Sequence, residues 1–331
     1  MRIRAVAVLA SSCLTLPAQQ GERAPTKLDF AGAAEFSEEN AGLALLAYRG
    51  DELVFEEYHN GHRADRGQHI FSGTKSFAPV VALIAQDEGL LELDEKVCET
   101  ITEWRGDDLR ERITVRQLLN FTSGLKNNDS RLHRAGVPDV YAMSIGCKCA
   151  AEPGTRFRYG SNHLMVFGEF LKRKLAAAKP EKGEHPDDFV AYLEARVLDP
   201  IGCTYTRWLR DPQGNPGLPY GAYMTAREWA KFGLLVRDRG KHEGRQLIPT
   251  EHFDEMFTGS KANPIYGLNF WLVGRRSQGG LVPKDIVSAS GMFDQRLYIS
   301  ESEDLVVVRL GQTGKRTRFS DRAFLTRLFG G

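Results

Sequence analysis

Strand-like segments lie at both ends of the chain with helical patterns between them, and this distribution limits the possible folds most strongly. Residues 43–48 and 53–58 are apolar runs joined by a short turn, which predicts a hairpin. Helical periodicity dominates residues 95–255. Strand-like runs return after Tyr266, at residues 268–273, 295–299 and 305–310.

The two sets of strands are predicted to share one antiparallel sheet, because each set must bury its apolar face in a common layer. We therefore expect an α/β fold in which residues 26–94 and 256–331 form a sheet domain flanked by helices. Residues 95–255 are predicted to form an inserted, mostly helical domain. The cleft between the two domains is then the expected position of a functional site.

Composition favours a globular protein that acts on small molecules. The 331 residues are 42% hydrophobic and 26% charged, with a net charge of +1. This balance, without long basic runs, argues against nucleic acid as the main partner and favours a small-molecule or peptide-like substrate. Beyond the N-terminal segment, no run approaches the roughly 20 apolar residues that a membrane span requires.

The N-terminal segment has the pattern of a secretory signal peptide. Arg2 and Arg4 precede the apolar residues 5–16, and small residues follow, with cleavage expected after Ala18. The alternative is an N-terminal segment that is simply frayed. Residues 1–18 therefore predict export, which would place the protein in the periplasm or outside the cell.

Cysteine and histidine spacing predicts no metal site, and no other cofactor is expected. Cys147 and Cys149 lack a second cysteine or histidine pair at ligand spacing. Together with Cys98 and Cys203 they make four cysteines. If the protein is exported, its oxidising surroundings would allow these cysteines to form disulfides. Their spacing does not define which cysteines pair.

A hydroxyl and an amine are placed three residues apart at Ser72 and Lys75, at the start of a long helical pattern. Residues three apart on a helix share a face, so Lys75 should lie beside the Ser72 hydroxyl. A buried lysine can lose its proton and act as the base that activates a serine. Pro79 lies further along the same pattern and predicts a kink in the helix.

Two similar patterns in the chain have other interpretations. The same Ser-x-x-Lys spacing recurs at Ser123 and Lys126, but polar loop-like residues follow it, so we interpret it as chance. A phosphate-binding loop would need a Gly-Lys pair, and Thr74 separates Gly73 from Lys75.

Five motifs occur in order, and together they resemble the serine β-lactamase-related family, which includes class C β-lactamases, D-Ala-D-Ala peptidases and their esterase relatives. The resemblance spans roughly residues 40–312. The motifs are FSGTKSF at 71–77, GLLELD at 89–94, ITVRQLLNFTSGL at 113–125, PGTRFRY at 153–159 and TAREWAKFG at 225–233.

The resemblance implies a β-lactamase/penicillin-binding-protein-like fold and an acyl-enzyme mechanism. Ser72 matches the nucleophile of the family, Lys75 its base and Tyr159 the tyrosine that moves a proton toward the leaving group. Taken alone, a tyrosine that leads a helix is more typical of a core residue. The catalytic role predicts that its hydroxyl lies within hydrogen-bonding reach of Ser72 or Lys75.

The chain departs from the family pattern at two places that bind substrate. Ser161 stands where relatives have an asparagine, with Asn162 one place late. Ala289, Ser290 and Gly291 stand where relatives have Lys or His, a small residue and Gly, so the cation is missing. Arg296 is a candidate to replace that cation. The second oxyanion donor would be the backbone N–H of Met292, which needs no particular side chain.

The sequence therefore predicts an exported serine hydrolase that acts on an ester or amide, with esterase-like chemistry. The alternatives are a β-lactamase or D-Ala-D-Ala peptidase, and a non-catalytic binding protein on the same fold. The missing cation argues against the first alternative, since a substrate carboxylate would lack its partner. Intact Ser72, Lys75 and Tyr159 argue against the second.

Overall fold

A computed structural model describes residues 27–134, 136–178, 186–276 and 280–330. The predicted signal peptide, residues 1–18, lies outside the described residues. The domain boundaries at 94 and 255 stay predictions.

Both ends of the chain contribute to one five-stranded sheet with the strand order β2-β1-β10-β9-β8. Every neighbouring pair in it is antiparallel. The predicted α/β class with an antiparallel sheet is thus confirmed. The strands are β1 (Gly42–Arg49), β2 (Glu52–Tyr58), β8 (Val287–Gly291), β9 (Gln295–Ser300) and β10 (Leu305–Gly311).

Short strands form two smaller sheets. One has the order β3-β5-β4 and joins the segment before Ser72 to the middle of the chain, while the other is the hairpin of β6 and β7. These strands are β3 (Gln68–His69), β4 (Arg207–Trp208), β5 (Ala222–Met224), β6 (Lys241–His242) and β7 (Arg245–Gln246).

Helices cover both faces of the main sheet and fill the middle of the chain. Those of the described residues are α1 (Phe30–Glu39), α2 (Phe77–Asp87), α3 (Val115–Leu119), α4 (Asp129–Leu132), α5 (Val140–Ile145), α6 (Asn162–Ala178), α7 (Phe189–Leu193), α8 (Ala226–Arg237) and α9 (Asp321–Gly330).

The alternation of side chains along β1 shows how the sheet separates two cores. Ala44 and Leu46 join the large core that contains α2, α6 and α8. Leu45 and Ala47 point the other way, into a smaller core covered by α1 and α9. Since both faces are buried, β1 is apolar at successive positions, as is typical of a central strand.

Helix α8 lies directly against the large-core face of the sheet. A Cβ atom on Gly233 would come within 2.7 Å of the side chains of Leu297 and Val306. The glycine therefore lets the helix approach β9 and β10 closely. This contact places α8 beside the segment that carries Ser72, because Trp229 of the same helix lies against Gly73.

The prediction of a strand at residues 268–273 is wrong. Within this range only Trp271 makes strand-like bridges, one to Tyr266 and one to Ser288, and the chain turns tightly around it. Asn269 has a left-handed φ of +63° and donates its side-chain amide to the Leu119 carbonyl. An irregular loop whose apolar side chains are buried in the core can have the same composition as a strand. This explains why a strand was predicted here.

The predicted kink at Pro79 is also wrong. The chain from Phe71–Ser76 forms a 3-10 helix, and α2 begins only at Phe77. Pro79 therefore lies in the first turn of α2, where a missing backbone N–H breaks no intrahelical hydrogen bond.

The smaller core should depend on Phe324 of α9. Its side chain is fully buried and stacks on Tyr298 at 5.4 Å between ring centroids. We expect Phe324→Ala to lower the free energy of unfolding by about 3 to 5 kcal/mol, because the cavity cannot be refilled from the sheet. Denaturant unfolding measures this, and exposed Arg322→Ala on the same helix should change it by less than about 0.5 kcal/mol.

Candidate active site

Ser72 lies in the second position of the 3-10 helix that precedes α2. Two hydroxyl groups hold this turn, since Thr74 donates to the Phe71 carbonyl at 2.7 Å and Ser76 to the Gly73 carbonyl at 2.8 Å. A Cβ atom on Gly73 would lie 2.6 Å from Trp229, so a glycine is needed for the turn to rest on α8. The turn is therefore rigid and anchored in the large core.

Lys75 is directed at Ser72 from the same turn. Its Nζ donates to Ser72 Oγ at 2.9 Å and to the Pro219 carbonyl at 2.8 Å. The residue is only 2% exposed, and burial lowers the pKa of its amine to about 7, while the charge of Asp129 acts in the opposite direction. A free amine is thus available near neutral pH beside a hydroxyl, which is the arrangement for proton transfer.

Tyr159 completes the group on the other side of Ser72. The Ser72 side chain acts on the Tyr159 phenol and lowers its pKa, against the larger effect of burial, and Lys75 Nζ lies 5.0 Å from the Tyr159 ring centroid. Burial raises the pKa of the phenol to about 12, so it stays neutral at ordinary pH. The ring also stacks on Trp271 at 5.8 Å. Tyr159 is therefore a packed residue that also lies near Ser72 and Lys75, and its catalytic role stays a prediction.

Ser161 lies beside this group but is only 2% exposed. Its hydroxyl is 3.0 Å from His133 Nε2, and its backbone N–H donates to the Asp129 carboxylate at 2.8 Å. Asn162 points away from the cleft and donates its amide to the Lys126 carbonyl at 2.5 Å. The asparagine thus stands one residue later than in relatives, and the Ser161 hydroxyl occupies the position where relatives have an asparagine amide.

Asp129 and His133 were missed by the sequence analysis. Asp129 acts electrostatically on both Lys75 and Tyr159. His133 packs edge-on against Tyr220, with 4.7 Å between ring centroids, and burial lowers its pKa. Both residues follow a loop, so no periodic pattern marked them as part of the site.

The end of β8 approaches the turn of Ser72 very closely. A Cβ atom on Gly291 would lie 2.0 Å from the Ile70 carbonyl oxygen, so only glycine fits. Met292 follows in a turn, and Phe293 has a left-handed φ of +59°. Met292 thus lies at the end of β8, which approaches the turn of Ser72, and its role as an oxyanion donor stays a prediction.

Gln295, which the sequence analysis did not identify, holds that turn in place. Its side chain is fully buried. Its amide donates to the carbonyls of Met292 at 3.2 Å, Phe293 at 3.1 Å and Gly311 at 2.8 Å, and its carbonyl accepts the Gly311 N–H at 2.9 Å. Every hydrogen-bonding group of this side chain therefore links the turn to β10.

The predicted substrate positions on β8 point in two directions. Ala289 is 1% exposed and belongs to the large core. Ser290 is half-buried on the other face, with its hydroxyl 2.9 Å from that of Ser288. Neither residue carries charge to the cleft.

Arg296 does not present a free cation at this edge. Its Nε donates to the Asp321 carboxylate at 2.7 Å, and Nη1 donates to the Gly291 carbonyl at 3.1 Å. Asp321 also accepts the Tyr298 hydroxyl at 2.5 Å. The guanidinium is therefore paired and serves to hold the end of β8.

The second Ser-x-x-Lys match has a different environment. Ser123 is fully buried, with its hydroxyl 2.8 Å from His163 Nδ1, whereas Lys126 is exposed. The four cysteines predicted to be capable of pairing are separate thiols, with Cys98, Cys147 and Cys203 buried.

Comparisons with known proteins show which family and fold the chain resembles. A family model described as beta-lactamase matches residues 31–330. The chain is 22% identical over 303 residues to the 6-aminohexanoate-dimer hydrolase of Paenarthrobacter ureafaciens, covering 82% of this chain and 73% of that protein.

Solved structures show the same fold. A putative beta-lactamase from Bacteroides dorei superposes with a TM-score of 0.73 at 18% identity, covering 92% of this chain and 100% of that one. EstCE1, a hydrolase with promiscuous acyltransferase activity, superposes with a TM-score of 0.60 at 16% identity, covering 85% of this chain and 91% of that one. The predicted β-lactamase/penicillin-binding-protein-like fold is confirmed.

The pKa of Lys75 predicts how Ser72 reacts with a fluorophosphonate probe. The labelling rate should rise with pH through about 7 and then level off, because only the free amine can accept the serine proton. Asp129→Asn should move the midpoint to lower pH, since the carboxylate raises the pKa of Lys75. Mass spectrometry of the labelled protein between pH 5 and 9 measures both.

The matched control is Asp65→Asn, which removes an exposed carboxylate that does not shift the pKa of Lys75. Its labelling midpoint should equal that of the unaltered protein. A midpoint that moves to higher pH in Asp129→Asn contradicts the electrostatic account.

Proposed function

The chain belongs to the beta-lactamase family, and on that basis we propose that it is a serine hydrolase that cleaves an ester or amide through an acyl-enzyme on Ser72. One observation carries the proposal: a buried amine with a pKa of about 7 lies 2.9 Å from the Ser72 hydroxyl. The names of two relatives support it, since one is a hydrolase of an aminohexanoate dimer and another is a hydrolase with acyltransferase activity.

In the proposed acylation, Lys75 takes the proton of Ser72 as the oxygen attacks the substrate carbonyl carbon. The carbonyl oxygen becomes an oxyanion that accepts hydrogen bonds from the backbone N–H groups of Ser72 and Met292. Tyr159 gives its proton to the leaving group as the scissile bond breaks, and the ammonium of Lys75 restores that proton. An acyl-Ser72 ester and a protonated leaving group result.

Deacylation follows the same route with water as the nucleophile. The free amine of Lys75 accepts a proton from water as the water oxygen attacks the acyl carbon. Ser72 leaves and regains its proton, and a carboxylic acid is released. The pKa of about 12 at Tyr159 suits this relay, because its neutral form predominates between turnovers.

Esterase-like specificity is proposed because the cleft lacks a free cation on β8. Ala289 replaces the charged residue of relatives and is buried, and Arg296 is paired with Asp321. A carboxylate of a β-lactam or a D-Ala-D-Ala peptide would lose a charge-assisted hydrogen bond there. Neutral acyl substrates need only the nucleophile, the base and the oxyanion donors.

Export to the periplasm or beyond is proposed on the pattern of residues 1–18 alone. Among the described residues, no helix combines the length and the apolar character of a membrane span.

The nucleophile and its base can be tested by substitution. Ser72→Ala and Lys75→Ala should each lower kcat/KM for p-nitrophenyl butyrate by about a thousandfold or more, since the two groups act as a unit. Lys126→Ala is the matched control from the second Ser-x-x-Lys match and should keep full activity. Circular dichroism checks that each variant is folded. A folded Ser72→Ala protein that keeps most of its activity would falsify the assignment.

The missing cation predicts the order of substrates. Loss of a charge-assisted hydrogen bond is worth ~1.5 to 3 kcal/mol, or about ten- to a hundredfold in affinity. p-Nitrophenyl butyrate should therefore be cleaved with a higher kcat/KM than nitrocefin or a D-Ala-D-Ala peptide. Faster turnover of either carboxylate substrate rules out the esterase preference.

A further inference from the structure

We propose that Phe71, Met292 and Phe293 form an apolar subsite that selects substrates with an aromatic ring in the acyl group. The inference rests on the proposed acyl-enzyme at Ser72 and names the acyl group that this enzyme prefers. Phe71 directly precedes Ser72, and Phe293 directly follows Met292. The subsite therefore borders both backbone N–H groups assigned to the oxyanion.

The two phenylalanines meet across the gap between the nucleophile turn and the end of β8. Their ring centroids are 5.3 Å apart at an interplanar angle of 65°, which is an edge-to-face contact. Both rings are half-buried, so part of each remains accessible. Met292 is 59% exposed, the largest exposure among the exposed large hydrophobic residues in the described part of the chain. Met292 therefore adds accessible apolar surface directly beside Phe293 along the chain.

Both phenylalanines also have a left-handed backbone, which is unfavourable for a bulky side chain. Phe71 has a φ of +47° and Phe293 a φ of +59°. Bulky residues rarely adopt this left-handed region, where glycine would cost far less. Strained residues of this kind cluster at ligand-binding sites, because the surroundings hold them there for a purpose other than stability. The two rings are thus held against a conformational cost at positions that directly adjoin Ser72 and Met292 along the chain.

A stack of planar groups makes this wall rigid. His69 lies against Phe71 at 3.8 Å between ring centroids, and Tyr223 lies against His69 at 4.3 Å with an interplanar angle of 7°. The Arg207 guanidinium caps the stack at 5.6 Å from the Tyr223 ring. A preorganised aromatic wall loses little entropy on binding and suits another flat ring better than a flexible chain.

The acyl group, and not the leaving group, is assigned to this wall because of where Tyr159 lies. Tyr159 must face the leaving group to protonate it. Its ring contacts are with Phe121, Tyr266 and Trp271. Among the described residues, that cluster and the Phe71 wall share no ring contact, so they flank Ser72 separately. The substituent that does not face Tyr159 is the acyl group.

The test compares p-nitrophenyl phenylacetate with p-nitrophenyl butyrate, which share a leaving group. We expect the unaltered protein to favour phenylacetate by about tenfold in kcat/KM, in line with one good aromatic contact. Phe293→Gly and Phe293→Asn both tolerate a positive φ and remove the ring, so each should bring this ratio close to one. Phe293→Tyr keeps the ring and should retain the preference.

A second substrate pair separates the two sides of the scissile bond. Benzyl acetate and ethyl acetate carry the ring difference on the alcohol, and their ratio should be the same in the unaltered protein and in the Phe293 variants. Glu243→Gly is the backbone control, because Glu243 has a φ of +46° in the β6-β7 turn and no ring. It should leave both ratios unchanged.

The outcomes distinguish this inference from the proposed function. Ester hydrolysis that persists in folded Ser72→Ala overturns the proposed function. Ser72-dependent hydrolysis with an unaltered protein that shows no phenylacetate preference overturns the aromatic acyl subsite alone. A phenylacetate preference that survives in both Phe293→Gly and Phe293→Asn also overturns the aromatic acyl subsite. If these variants change only the ratio of benzyl acetate to ethyl acetate, the assignment of the wall to the acyl group is wrong.

Discussion

The burial of the Lys75 amine is the constraint on which the rest of the site depends. Nζ is held between Ser72 Oγ and the Pro219 carbonyl, and the side chain is almost completely shielded from water. Desolvation of the ammonium lowers its pKa to about 7. The same burial opposes folding. In the unfolded chain the amine has its ordinary pKa of 10.5 and stays protonated up to that pH, so folding at lower pH must bury a charge or release a proton. The contribution of Lys75 to stability therefore becomes less favourable as pH falls from about 10.5 to about 7, and is constant below that.

The proposed oxyanion side of the site depends on close backbone approach. Gly291 allows the end of β8 to reach the Ile70 carbonyl, and Gln295 joins the following turn to β10. Arg309, fully buried, adds a hydrogen bond from Nη1 to the Asp294 carbonyl at 2.7 Å. A buried amide and a buried guanidinium thus stabilise a turn that contains left-handed residues. This support explains how a strained segment can be positioned well enough to bind an oxyanion.

Charged side chains are distributed unequally around the cleft. The described residues place Asp129 near Lys75, while the guanidinium behind β8 is paired with Asp321. A carboxylate substrate therefore meets no free cation on β8. The proposed apolar subsite of Phe71, Met292 and Phe293 borders the turn after β8 instead. We therefore expect substrate recognition to come from shape and ring contacts.

Much of the arrangement could be predicted from sequence because it depends on local spacing. The three-residue separation of Ser72 and Lys75 puts both on one turn, whether that turn is α or 3-10. The roles of Gln295 and Asp129 could not be predicted, because each depends on contacts with residues far along the chain. The strand expected at 268–273 was wrong for the same reason, since distant contacts such as that of Asn269 with Leu119 decide its path.

The sequence by itself determined the antiparallel sheet from both chain ends, the Ser72 and Lys75 pair, and the absence of a charged side chain at Ala289. Tertiary structure decided the protonation of Lys75, the pairing of Arg296 with Asp321, and the meeting of Phe71 with Phe293. The physical reason is that desolvation, ion pairing and ring contacts depend on which distant surfaces the fold brings together. Periodicity and spacing report only on neighbours along the chain.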